Sequence, residues 1–133
     1  MDKKIISTGA IFGMIAIILG AFGAHALKKV LPIDQLTTFE TGVRYQMYHA
    51  LFLLFIGTTN HISQKAKKSI HYLTILGVIF FSGSIYLLAT KGLTSIDFKI
   101  FGFLTPLGGL FLIAAWFLLL FDTILPKKKK IKI

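Results

Sequence analysis

Phe39-Glu-Thr-Gly-Val-Arg-Tyr-Gln-Met-Tyr-His-Ala-Leu-Phe-Leu-Leu-Phe-Ile-Gly57 runs without a break from a polar, ionisable half into a purely apolar half. Glu40, Arg44, Gln46 and His49 stand out here, because the chain on either side reads as hydrophobic span. Whether these groups sit in water or among helices in a bilayer decides the fold.

Composition answers first. The chain has 133 residues, is 55% hydrophobic and has a mean hydropathy of +0.77. That is far above a soluble average, and a domain this small could not bury so much apolar surface. Most of it must therefore face lipid. The absence of cysteine excludes a disulfide framework and a thiolate metal site. The formal charge of +10 comes from basic residues parcelled between long apolar runs. This is the flanking pattern of membrane spans, so no nucleic-acid partner is expected.

Outward from the opening stretch, four spans are predicted, at about 5–25, 37–60, 70–90 and 98–121. Ile5 to Ala24 is free of charge for 20 residues, about 30 Å as a helix, which matches a bilayer core. Within it Gly9 and Gly13 form a GxxxG pair, and Ala16, Gly20, Gly23 and Ala24 extend the small residues. Such a stripe lets another helix approach closely. Lys3-Lys4, this apolar run and Ala24-His25-Ala26 also imitate a signal peptide. The run exceeds the usual signal core, and a retained first span is expected.

Asp34 or Thr37 is expected to cap the second helix, since Thr37-x-x-Glu40 has capping-box spacing. At 100° per residue this helix carries three stripes. Glu40, Arg44 and Tyr48 form one. Gly42, Gln46, His49 and Leu53 form another, flanked by Tyr45, and both are expected to point into the bundle or its rim. Val43, Met47, Ala50 and Leu54 form an apolar face suited to lipid. In the third span Gly83 lies with Gly77, Ser82 and Ser84 as small residues for packing. In the fourth, Pro106 either kinks a long helix or opens a shorter one capped by Thr105. Gly102, Thr105, Pro106, Gly109 and Trp116 are expected on its bundle face, and Asp122 ends the run.

The N-terminus, the second loop and the tail carry Lys3, Lys4, Lys65, Lys67, Lys68, Lys127 to Lys130 and Lys132. The other side carries Lys28, Lys29, Arg44, Lys91 and Lys99. Ten basic residues against five places both termini in the cytoplasm by the positive-inside rule. The expected architecture is an all-α four-helix transmembrane bundle forming one domain over 1–133, with a basic cytoplasmic tail at 126–133 drawn to anionic lipid.

Gly20-Ala-Phe-Gly-Ala-His25, Phe39-x-Thr41-Gly42-x-x-Tyr45-Gln46-x-x-His49-Ala-Leu51, Phe81-Ser-Gly83-Ser84-x-Tyr86 and Thr105-Pro106-x-Gly108-Gly109 with Trp116 follow one another in this order. Together they resemble the signature blocks of the YgdD-like family, domain of unknown function 423. The resemblance implies a small multi-pass protein of the bacterial inner membrane with four spans. It implies no activity.

Ionisable groups inside a membrane cost several kcal/mol each and are functional candidates by default. The candidate polar cluster is His25, Glu40, Arg44, Tyr45, Gln46 and His49. Glu40 and Arg44 either pair structurally or serve a proton or substrate path. His49 lies near mid-bilayer, bonded to Gln46, Tyr45 or a facing Ser or Thr, or else open to axial haem ligation. No HExxH, nucleophile elbow or phosphate loop is present. Neither catalysis, a metal nor a cofactor is expected. An accessory or scaffold subunit in a larger membrane complex, or a homo-oligomer, is the expected role. A proton-coupled carrier using His49, Glu40 and Arg44 is the alternative, and a haem- or quinone-associated redox subunit a third.

Overall fold

The computed structural model describes residues 2–93, 99 and 101–126. Helix α1 spans Lys3–His25, and a 3₁₀ turn at Leu27–Lys29 leads to α2, Ile33–Thr58. Helix α3 spans Gln64–Val78, passes through a π-helical turn at Ile79–Gly83 and continues as α4, Ser84–Ala89. After a 3₁₀ turn at Lys91–Leu93, α5 runs from Phe101 to Ile124. No strand occurs among the described residues. The expected loop at Ser95 and Asp97, the first residue of the fourth span and the lysines of the tail lie outside them.

Among the described residues three stretches are long and apolar enough to cross a membrane: Lys3–Lys29, Gln64–Ala89 and Phe101–Ile124. Helix α2 is as long, but Asp34, Glu40 and Arg44 dilute its first half. It pairs antiparallel with α1 from end to end. A Cβ built on Gly23 would meet the Phe39 ring at 3.1 Å, one on Gly20 would meet Val43 at 3.4 Å, and one on Gly9 would meet the Ala50 carbonyl oxygen at 2.8 Å. At the far end Gly57 lies against Ile6, and the Asp2 amide donates to the Gly57 carbonyl at 2.9 Å. The small-residue stripe of α1 thus brings the two backbones together.

This pairing corrects the expected lipid face of α2. Ala50 is buried, and Val43, Met47 and Leu54 are half-buried against the α1 glycines. The outward face carries Glu40, Arg44, Tyr48, Leu51 and Phe55 instead. Periodicity groups residues by face, but only the neighbour decides which face turns inward.

Several expected boundaries move as well. Helix α2 starts four residues before Thr37, with Pro32 ahead of it and no side-chain cap. The Thr37, Thr38 and Thr41 hydroxyls bond back to the carbonyls of Ile33, Asp34 and Thr37. A mid-helix threonine spends its hydroxyl this way. Helix α3 starts six residues before Ile70, capped by Ser63 Oγ accepting from the Ala66 amide at 3.2 Å. Helix α5 continues past Asp122. That carboxylate accepts from the Ser63 amide at 3.0 Å and the Ser63 hydroxyl at 2.8 Å, pinning the α3 cap to the end of α5.

Pro106 lies inside α5, and Thr105 is helical rather than a cap. The buried face of α5 is Gly108, Leu112 and Ala115. Gly102 and Pro106 are exposed instead, and Gly109 and Thr105 lie half-buried at the edge. Gly108 is placed where any Cβ would collide with the Phe81 amide nitrogen and Phe80, and Gly77 is pressed on Leu112. Among the described residues no side chain or backbone approaches a Cβ at Gly83 or Gly102 within 4 Å.

Two apolar clusters form the core. Ile5, Phe52, Leu53, Ile56, Ile62, Ile70 and Ala115 pack at the end holding the N-terminus. Leu27, Leu31, Phe39 and Ala89 pack at the other. Between them α2 presents Gly42, Gln46 and His49.

Candidate functional site

This middle layer is a chain of hydrogen bonds centred on α2. Gly42 comes first: its carbonyl accepts from the Ser82 hydroxyl at 2.7 Å, and a Cβ there would lie 2.7 Å from the Tyr86 ring. One turn on, the Gln46 amide donates to the Phe12 carbonyl of α1 at 2.9 Å and its oxygen accepts from the Tyr86 hydroxyl at 2.6 Å. Gln46 thereby joins three helices. A further turn brings His49, whose Nδ1 faces the Tyr45 carbonyl at 2.7 Å and whose Nε2 lies 3.0 Å from the Trp116 indole nitrogen.

The His49 tautomer follows from these partners. An indole nitrogen only donates, so Nε2 must accept; a carbonyl only accepts, so Nδ1 must carry the proton. His49 is therefore a neutral imidazole held at both nitrogens. Its ring is packed edge-on to Phe52 and Trp116, and those two rings stack at 4.2 Å.

The π turn aids this arrangement. It holds Ser82 and leads directly into Ser84 and Tyr86, so three hydroxyls reach α2 and α5 within one segment. The Ser84 hydroxyl bonds Thr105 of α5. Among the described residues the Thr74 hydroxyl is the buried side-chain oxygen of this interior without a hydrogen-bond partner.

Beside His49 a lateral cleft of about 450 Å³ opens between α2, the π turn and α5. Tyr45, Phe81, Gly109, Leu112, Ile113 and Trp116 line it with His49, so its walls are largely apolar.

The structure separates the expected cluster. Gln46 and His49 are buried, 4% exposed each. Tyr45 contributes its carbonyl, and its half-exposed ring packs on Phe81 at 5.1 Å. Glu40, Arg44 and His25 lie on the exposed surface. The expected Glu40–Arg44 ion pair is not formed: the Arg44 guanidinium donates to the Thr41 hydroxyl at 3.2 Å, while Lys67 pairs with Asp2 at 3.3 Å. An i,i+4 spacing permits a pair, but both side chains here reach outward. Ser82, Tyr86 and Trp116, absent from the expected cluster, complete the network. Their signal in the sequence is a hydrogen-bonding group isolated in an apolar run, which must find a partner.

Among the described residues no group of three His, Asp or Glu side chains comes together. An axial-ligand role for His49 would require breaking its bond to Trp116.

The model of the family described as "Protein of unknown function (DUF423)" matches residues 19–109. This chain belongs to that family. It is 42% identical to the UPF0382 membrane protein SH2409 of Staphylococcus haemolyticus, covering 91% of this chain and 95% of the relative. It is 37% identical to the UPF0382 membrane protein YwdK of Bacillus subtilis, over 88% of this chain and 93% of the relative. Identity to the UPF0382 inner membrane protein YgdD of Escherichia coli is 35%, over 90% and 88% respectively. No solved structure matches the chain significantly. The DUF423 chain is thus a multi-pass helical protein of the bacterial inner (cytoplasmic) membrane.

Proposed function

We propose that this DUF423 chain is a non-catalytic four-span protein with both termini in the cytoplasm, serving as an accessory or scaffold subunit of a larger membrane complex or homo-oligomer. The pairing of α2 with α1 supports the fourth span, because a helix in contact along the full length of a bilayer-crossing neighbour crosses with it. The orientation rests on the excess of lysines at the N-terminus, the second loop and the tail. On the cytoplasmic side the tail lysines also lean on anionic lipid.

One observation carries the scaffold reading. The buried polar groups of α2 are spent on fixed bonds to other helices, while the charges that a carrier would use, Glu40 and Arg44, face outward. A transport path needs inward groups that exchange partners. This interior binds helices to one another instead.

Extraction in mild detergent followed by native mass spectrometry tests the reading. A defined assembly larger than one chain is expected, and a strictly monomeric, partnerless protein would overturn it. A solute or proton flux in proteoliposomes, lost in His49→Ala with folding intact, would replace it with a carrier.

A further inference from the structure

The end of the bundle that holds the N-terminus contains a second cavity, unlike the cleft beside His49. It encloses about 390 Å³ between the first turns of α1 and α3, and Asp2, Lys4, Lys67, Lys68, His71 and Tyr72 line it. We propose that this cavity binds the phosphate group of an anionic membrane phospholipid.

Charge comes first. Three lysines and one carboxylate face the cavity. Lys67, with its side chain only 3% exposed, is 3.3 Å from Asp2, so that pair neutralises itself. The surplus is positive: Lys4 and Lys68 have no carboxylate within 4.0 Å among the described residues. An ammonium carries three donors, and a single carboxylate oxygen does not occupy all three on Lys67.

Rigidity comes second. Asp2 is fixed by its amide bond to the Gly57 carbonyl. His71 is fixed by the Thr8 hydroxyl at 2.9 Å, and that hydroxyl also bonds the Lys4 carbonyl. Thr8 has one hydrogen; given to Lys4, it leaves His71 Nε2–H to donate to Thr8. The cavity wall is therefore built from α1 and α3 together and needs no rearrangement to receive an anion.

Depth decides the chemistry of the ligand. The apolar runs of α1 and α3 begin at Ile5 and Ile70, so the cavity lies at the boundary between hydrocarbon and headgroups. Tyr72, 57% exposed and stacked on His71, occupies the aromatic position typical of that boundary. Basic pockets between helices at this depth suit lipid phosphates, with the acyl chains lying along the exposed flank formed by Leu76 of α3 and Ile79 of the π turn.

The test uses the full chain in detergent, titrated with phosphatidylglycerol or phosphatidylcholine and read by native mass spectrometry. Wild type should retain phosphatidylglycerol preferentially. Lys4→Gln and Lys68→Gln, both at exposed positions, should each weaken that retention about fivefold, while Lys28→Gln with Lys29→Gln, at the opposite end, should leave it unchanged. Equal retention of the two lipids, or a preference unaffected at Lys4 and Lys68, overturns the proposal. So does an outcome in which inorganic phosphate binds with the same dependence on Lys4 and Lys68 and the lipid does not.

Discussion

Arg44 and Gln46 are two residues apart on α2 and have opposite fates. Arg44 stands on the exposed face with one bond to a local threonine. Gln46 is buried and ties α2 to both α1 and α4. Polarity alone would rank the arginine as the more consequential group. Position reverses the order, because an inward amide with no partner would cost its full desolvation in a medium without water, whereas an outward arginine carries its charge on a long stem toward headgroups or solvent. The lesson is that a polar residue in a membrane helix matters according to the face it shares.

The contrast between inward and outward positions can be broken most severely with glycine. Gly108→Val should largely abolish folded protein, since its Cβ has no space beside the backbone of Phe80 and Phe81. Overpacking of this kind costs about 3 kcal/mol or more. Gly83→Ala, with no described atom within 4 Å of its Cβ, should be close to neutral. Folded yield and detergent thermal stability separate the two classes; equal losses would refute the packing assignment.

A smaller effect is expected from the hydrogen-bond layer. Gln46→Leu strands the Tyr86 hydroxyl and should cost about 1–2 kcal/mol. Trp116→Phe keeps the stacking on Phe52 but removes the donor to His49, and should cost about 0.5–1.5 kcal/mol. Detergent thermal stability reads both losses, and two variants as stable as wild type would refute the network.

The smallest effects belong to the outward stripe. Glu40→Gln and Arg44→Gln should each change stability by less than about 0.5 kcal/mol. A loss comparable to that of Gln46→Leu would mean that the outward face is covered by a partner, which would sharpen the scaffold reading.

Much of the fold was legible because apolar runs of bilayer length leave few alternatives to helices. The α1 glycine stripe was readable, but not its partner: nothing in the spacing of Val43, Met47, Ala50 and Leu54 distinguishes a lipid face from a helix-facing one. Boundaries shifted where polar residues serve a helix end through tertiary contacts, as at Ser63, whose cap depends on Asp122 from a distant helix. Gln46 and His49 stood out in the sequence as candidates. Their partners did not, because Tyr86 and Trp116 meet them only through the packing of α4 and α5. The buried Lys67 was hidden for the same reason, as its neutralising partner, Asp2, precedes α1 in the chain and is adjacent only in space.

The most direct measurement is a pair of double-mutant cycles on unfolding in detergent. The account predicts that Gln46→Leu and Tyr86→Phe couple by about 0.5–1.5 kcal/mol, while Glu40→Gln and Arg44→Gln are additive. Additivity at Gln46 and Tyr86, with coupling at Glu40 and Arg44, would contradict it.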